Sequence, residues 1–215
     1  SALNRKEFNL HYQPIINLDL SKVHGFEALI RWKHPERGLM TPDDFLTIAT
    51  DAGYMAEIDR WVIGETCRQL SEWKSLTKES ADLSCTVNLS NHILYQPDLP
   101  EFIGETLRIC NLSPDSLGLE ITEGMIMERV EDVTSTLFQL KALGVKLLVD
   151  DFGTGYSSLS YLHQFPLDFL KIDRSFIMKM KSPKDRSEIV STIISLGHHL
   201  RSEEHTSELQ SRQSI

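Results

Sequence analysis

Residues 117–151 read LGLEITEGMIMERVEDVTSTLFQLKALGVKLLVDD, and the fold class turns on this stretch. Residues 117–122 (LGLEIT) form a short apolar run of strand length and composition. Residues 130–143 carry apolar side chains at helical spacing and stop at Gly144, a residue suited to a helix C-terminus. Residues 146–150 (KLLVD) form a second buried strand. Strand, helix and strand in this order make one crossover unit of the kind that joins parallel strands.

The same rhythm extends both ways. Residues 9–16 (NLHYQPII), 25–32 (GFEALIRW), 84–89 (SCTVNL) and 169–173 (FLKID) read as strands. Thr41-Pro42-Asp43-Asp44 opens a helix, with an N-cap hydroxyl, an early proline and acids at the positive end of the dipole. Residues 58–76 and 100–110 are helical, and 157–163 and 186–200 are expected to be. Six β units of this kind predict an α/β fold, a parallel sheet of the TIM (β/α)8 type truncated after about six units. No glycine-rich fingerprint follows the first strand, which removes the main support for a dinucleotide-binding alternative.

Composition narrows the function. The chain has 215 residues, 40% hydrophobic and 25% charged, which is ordinary for a globular domain. Its 22 basic and 31 acidic residues leave a net charge of −9, which disfavours a nucleic-acid polymer as partner. No run of about 18 apolar residues offers a membrane span. Cys67, Cys85 and Cys110 lack metal spacing and read as reduced core thiols, predicting a cytoplasmic domain. Met125, Met127, Met178 and Met180 read as packing, and His198-His199 as a helix face.

The strands share a chemical pattern. Glu27 lies in the second, Asn88 ends the third, Glu120 is near the end of the fourth, Asp150-Asp151 close the fifth and Lys171 lies in the sixth. In a parallel barrel the strand ends converge on one mouth. Carboxylates gathered there repel unless cations neutralise them, and hard oxygen donors suit Mg²⁺ or Mn²⁺ rather than zinc. Asp150 and Asp151 share one site only if their strand is just ending, because successive strand side chains point apart. Arg31 follows Glu27 by four residues, on the same side of its strand, where its planar fork suits phosphate. Lys171 suits a hydroxide or a phosphate oxygen, and residues 152–158 (FGTGYSS) read as a loop that positions Asp151. Two metals side by side are a recurring device for displacement at phosphorus. A one-metal lyase or isomerase with Lys171 as base stays open at this point.

Several motifs resemble the EAL domain family, the bacterial cyclic di-GMP phosphodiesterases: Glu27-Ala28-Leu29 with Arg31, Tyr12-Gln13-Pro14, Val87-Asn88-Leu89-Ser90, Leu119-Glu120-Ile121-Thr122-Glu123, Asp150-Asp151-Phe152-Gly153-Thr154-Gly155 and Leu170-Lys171-Ile172-Asp173. The resemblance runs in order over residues 3 to about 200. It implies a modified TIM barrel that hydrolyses cyclic di-GMP to linear pGpG by two-metal, in-line attack of water, in bacterial second-messenger signalling. It further implies that Glu27, Asn88, Glu120, Asp150 and Asp151 hold two Mg²⁺ or Mn²⁺ ions, with Asp150 shared between them. Lys171 would orient the water, Glu123 would hold the glycine-rich loop, Gln13 and Arg31 would contact the dinucleotide, and Leu29 would line its pocket. A homodimer, and an upstream GGDEF or sensory module in a parent protein open to membrane anchoring, are implied as well. A non-catalytic cyclic di-GMP receptor is the alternative within the family.

Residues 201–211 (RSEEHTSELQS) match the in-frame translation of a sequencing-library adapter. Residues 1–200 are therefore expected to be the domain and 201–215 a non-native tail. The family's seventh-strand Ala-Glu-Gly-Val-Glu and eighth-strand Gln-Gly-Tyr segments are not found, so this polypeptide on its own is expected to be unstable and nearly inactive.

Overall fold

The structure, a computed structural model, describes residues 2–17, 22–76, 80–128, 130–152 and 164–172. The expected helices at 157–163 and 186–200, the residues after Phe152 in the glycine-rich loop, Met178, Met180, His198-His199 and the 201–215 tail lie outside the described residues.

Among the described residues, seven strands form one mixed sheet, in the order β1-β2-β4-β5-β6-β7 with β3 beside β2. The elements are β1 (Phe8–Asn17), β2 (Lys22–His34), β3 (Gly38–Met40), α1 (Pro42–Asp51), α2 (Met55–Leu76), β4 (Ser84–Asn88), α3 (Asn91–Leu94), α4 (Leu99–Ile109), a 3₁₀ turn (Pro114–Ser116), β5 (Leu117–Thr122), α5 (Glu123–Glu128), α6 (Val130–Leu143), β6 (Lys146–Phe152) and β7 (Phe169–Ile172). From β2 through β4, β5, β6 and β7 the pairing is parallel. This is the α/β crossover architecture, open among the described residues between β1 and β7. No described helix is long and apolar enough to cross a membrane.

The parallel α/β sheet is as expected, and the start of the chain adds an antiparallel pair that the sequence reading did not specify. β1 pairs with β2 antiparallel, as does β3. Only residues 18–21 separate β1 from β2, and a parallel crossover needs a dozen residues or more. The first two strands therefore pair antiparallel rather than through a parallel crossover.

On the parallel strands alternate residues divide the work. Cys85, Val87, Leu117, Leu119, Ile121, Leu147 and Val149 join the apolar core with Ile63 and Leu70 of α2, Ile103 of α4 and Leu137 of α6. All three cysteines are free, Cys67 and Cys85 are buried, and Met125 is a core residue. The alternate positions, Thr86, Gly118, Glu120, Leu148 and Asp150, belong to the opposite face. Gly118 is required there: a Cβ would lie 2.7 Å from Thr86 Cγ2 and 2.9 Å from Leu148 Cδ1. Gly118→Ala is expected to cost about 1–3 kcal/mol by overpacking, read as a lower urea midpoint; an unchanged midpoint would contradict this packing.

Helix α2 buries Met55, Ile58, Asp59, Val62, Ile63, Thr66, Cys67 and Leu70, a stripe at helical spacing with a carboxylate inside it. Burial pushes Asp59 up to about 6, against hydrogen bonds from the Ser90 side chain and backbone. Because the folded value is raised, the related stability is complete below the unfolded value and is lost as pH rises through about 6. The expected loss is on the order of 2–3 kcal/mol. Urea unfolding at pH 4.5 and 7.5 checks it: wild type loses stability relative to Asp59→Asn as pH rises.

Candidate functional site

Four parallel-paired strands and the β7 edge bring five side chains together. In register, Glu27 of β2 is level with Thr86 of β4, Asn88 of β4 with Glu120 of β5, and Thr122 of β5 with Asp150 of β6. Glu27 sits mid-strand rather than at a strand end, because β2 runs on to His34 as part of the antiparallel ribbon. Asn88 Nδ2 donates to Glu27 Oε1 at 2.9 Å. Lys171 Nζ donates to Glu27 Oε2 and Asp150 Oδ2, both at 3.1 Å, and to Glu120 Oε2. One ammonium thus faces three carboxylates and leaves two negative charges in excess.

Burial sharpens that imbalance. The Glu120 side chain is 0% exposed. Burial pushes its carboxyl above the ordinary glutamate range, while Lys171 and, more weakly, Thr86 pull it down. For Lys171 burial opposes the charge, but Glu120, Glu27 and Asp150 outweigh it and hold the ammonium above the usual lysine value. The charged form of the lysine is therefore secure at neutral pH.

The donor set fits a divalent cation. Ligand atoms of Glu27, Glu120 and Asp150 lie within 4.8 Å of one another. Glu120 Oε1 is buried without a partner of hydrogen-bonding geometry, as is Thr86 Oγ1. A buried carboxylate oxygen left bare is costly in a protein alone, and a hard cation would satisfy it. Three carboxylates and an amide oxygen are the donors that Mg²⁺ and Mn²⁺ take.

Most of the chain carries a family signature. The EAL domain model matches residues 1–203. The chain belongs to the EAL domain family. It is 42% identical over 199 residues, 93% of its length, to the bifunctional diguanylate cyclase/cyclic di-GMP phosphodiesterase MucR of Pseudomonas aeruginosa, and covers 29% of that protein. It is 40% identical, again over 93% of its length, to the cyclic di-GMP phosphodiesterase NbdA of Pseudomonas aeruginosa, covering 25% of it. The solved structure described as PaMucR phosphodiesterase in complex with c-di-GMP superposes with a TM-score of 0.85 at 41% identity, over 93% of this chain and 80% of that one. The chain therefore spans less than a third of the length of these curated relatives.

The remaining expected residues of this EAL domain divide into two groups. Gln13 of β1 pairs with Glu27 across the hairpin, so Gln13, Glu27, Leu29 and Arg31 share one face of the ribbon. Gln13 is exposed, and Leu29 and Arg31 are half-buried. Arg31 Nη1 donates to the Ile30 carbonyl at 2.8 Å; its other donors have no acceptor among the described residues. Asp151 and Glu123 form the second group. Asp151 lies in β6, not after its end, and has φ 55° where the β6–β7 register shifts. The irregularity falls one residue before the strand ends, and Asp is among the few residues that accept a left-handed φ. The Asp151 amide donates to Asp150 Oδ1 at 2.9 Å. Glu123 starts α5 and is buried.

Sequence reasoning passed over two participants. Thr86 lies beside Glu120, and Asp59 reaches the segment after Asn88 through Ser90. For Asp59 a signal existed, a carboxylate on the apolar stripe of α2.

Proposed function

We propose that this EAL domain hydrolyses cyclic di-GMP to linear pGpG with the help of two divalent cations, Mg²⁺ or Mn²⁺. The observation that carries the reading is the convergence of Glu27, Asn88, Glu120, Asp150 and Lys171, with the buried Glu120 Oε1 accepting no hydrogen bond of good geometry although Thr86 lies beside it. Names of the relatives and the dinucleotide bound in a similar structure support the substrate. Glu27, Asn88, Glu120 and Asp150 would hold the ions, and Asp151 would complete the second position. Divalent cations at such a site neutralise charge developing at phosphorus and make water more acidic.

The chain's own residues supply the rest. Lys171 holds the attacking water in line with phosphorus by charge and hydrogen bonding. Arg31 offers its remaining guanidinium donors to a phosphate oxygen, Gln13 contacts the dinucleotide, and Leu29 gives it an apolar wall. Glu123 braces the glycine-rich segment after Asp151, through which occupancy of the site reaches a homodimer contact. An upstream GGDEF or sensory module sets when the domain works.

Chromatography of cyclic di-GMP incubated with the full-length protein and Mg²⁺ or Mn²⁺ tests this reading, with the chelated protein as control. The full-length form is used because the family resemblance places further carboxylates beyond residue 200. Conversion to pGpG that chelation abolishes is the expected result. Binding of the dinucleotide with no pGpG under either cation would overturn hydrolysis in favour of a receptor.

A further inference from the structure

The segment after β4 is anchored more heavily than a surface turn requires. Leu89 N donates to the Glu120 carbonyl at 2.9 Å, tying the backbone beside Asn88 to the residue that carries Glu120. Asn91 Nδ2 donates to Glu128 Oε2 of α5 at 2.7 Å. Between these two ties, Ser90 Oγ donates to Asp59 Oδ2 of α2. Ser90 also leads into α3, whose Leu94 amide donates to the Ser90 carbonyl at 3.2 Å.

The Asp59 tie is unusual in cost. Its carboxylate is 5% exposed and sits among Ile58, Val62 and Ile63 on the core stripe of α2. Stability alone would favour an apolar residue there. Asn88, by contrast, is exposed, and among the described residues its side chain bonds only to Glu27. An amide on the last residue of a strand needs its following backbone fixed to stay aimed.

We infer that Asp59, acting through Ser90, is a positioning residue that fixes the backbone after β4 and so aims the Asn88 amide at the cation site. This rests on the reading that Asn88 holds a cation. The device lies outside the site and touches neither cation nor substrate. Residues that orient a ligand in this way typically govern metal affinity by about 10–100-fold.

The test is calorimetric binding of Mn²⁺ to the substrate-free full-length protein, with melting temperatures recorded for every variant. Asp59→Leu, which removes the acceptor of both the Ser90 hydroxyl and the Ser90 amide, is expected to weaken Mn²⁺ binding about tenfold or more, and Ser90→Ala, which keeps the amide tie, is expected to weaken it by a smaller but measurable factor. Asp59→Asn, which keeps an acceptor for the Ser90 hydroxyl, is expected to stay close to wild type. In an Asn88→Ala background, Ser90→Ala should bring no further loss, since the two act through one ligand. A Ser90→Ala protein that melts lower but binds Mn²⁺ like wild type would overturn the inference, and so would a full additional loss in the Asn88→Ala background. A wild type that binds no Mn²⁺ overturns the cation reading and this inference with it. A wild type that binds beside variants that bind equally well overturns this inference alone.

Discussion

Glu120→Gln is expected to reduce cyclic di-GMP turnover by at least about 10³-fold, the scale of several kcal/mol of lost transition-state stabilisation, without unfolding the domain. The substitution keeps the shape of the side chain and removes one of three negative charges that face Lys171. In the metal-free protein that charge is a burden. It is buried, its carboxyl is pushed up by that burial, and one of its oxygens accepts no hydrogen bond of good geometry. The variant should therefore melt at the wild-type temperature or above it when no metal is present. Adding Mn²⁺ should reverse the order. A cation at 100 times its dissociation constant stabilises the protein that binds it by about 2.7 kcal/mol, and Glu120→Gln forfeits most of this. Turnover and melting curves with and without Mn²⁺ check both halves. A variant that keeps more than a tenth of wild-type turnover would remove Glu120 from the cation site.

Much of this site was legible before any coordinates, for a physical reason. Strand, helix and strand each carry their own period, so residues 117–151 declare a crossover unit unaided. A parallel sheet then forces strand-borne groups toward one end, and the hard donors Glu27, Asn88, Glu120 and Asp150 stand out there against apolar neighbours. What stayed hidden depends on pairing rather than on local pattern. The hairpin of β1 and β2 was implicit in the short connection at residues 18–21, yet strand period alone does not reveal direction. The three-residue β3 and the short helices α3 and α5 carry too few residues for any period to show. The irregularity at Asp151 is a backbone event that its side chain does not announce. Lys171 was read as a partner for phosphate or hydroxide; that it reaches three carboxylates on three other strands could come only from the assembled sheet.

That last contact gives Lys171→Met opposite signatures in three measurements. Removing the ammonium leaves Glu27, Glu120 and Asp150 facing one another, and taking one partner from a buried ionic group costs about 3–5 kcal/mol at full burial. Side-chain exposures of 29% for Lys171, 18% for Glu27 and 23% for Asp150 admit solvent and reduce this to about 2–3 kcal/mol at neutral pH in the metal-free protein. Cation affinity should move the other way. Losing a positive charge from a cluster proposed to bind divalent ions should strengthen Mn²⁺ binding several-fold, so the rise in melting temperature on adding Mn²⁺ should be larger than in wild type. Turnover should nonetheless fall, by about 10²–10³-fold, if Lys171 holds the attacking water as proposed. A purely structural lysine would give a different pattern: a lower melting temperature, with turnover per folded molecule restored once Mn²⁺ refills the charge. A lysine acting as a cation ligand's competitor and as the water's anchor at once gives tighter metal binding beside slower chemistry, and calorimetry together with the rate at saturating Mn²⁺ separates the two.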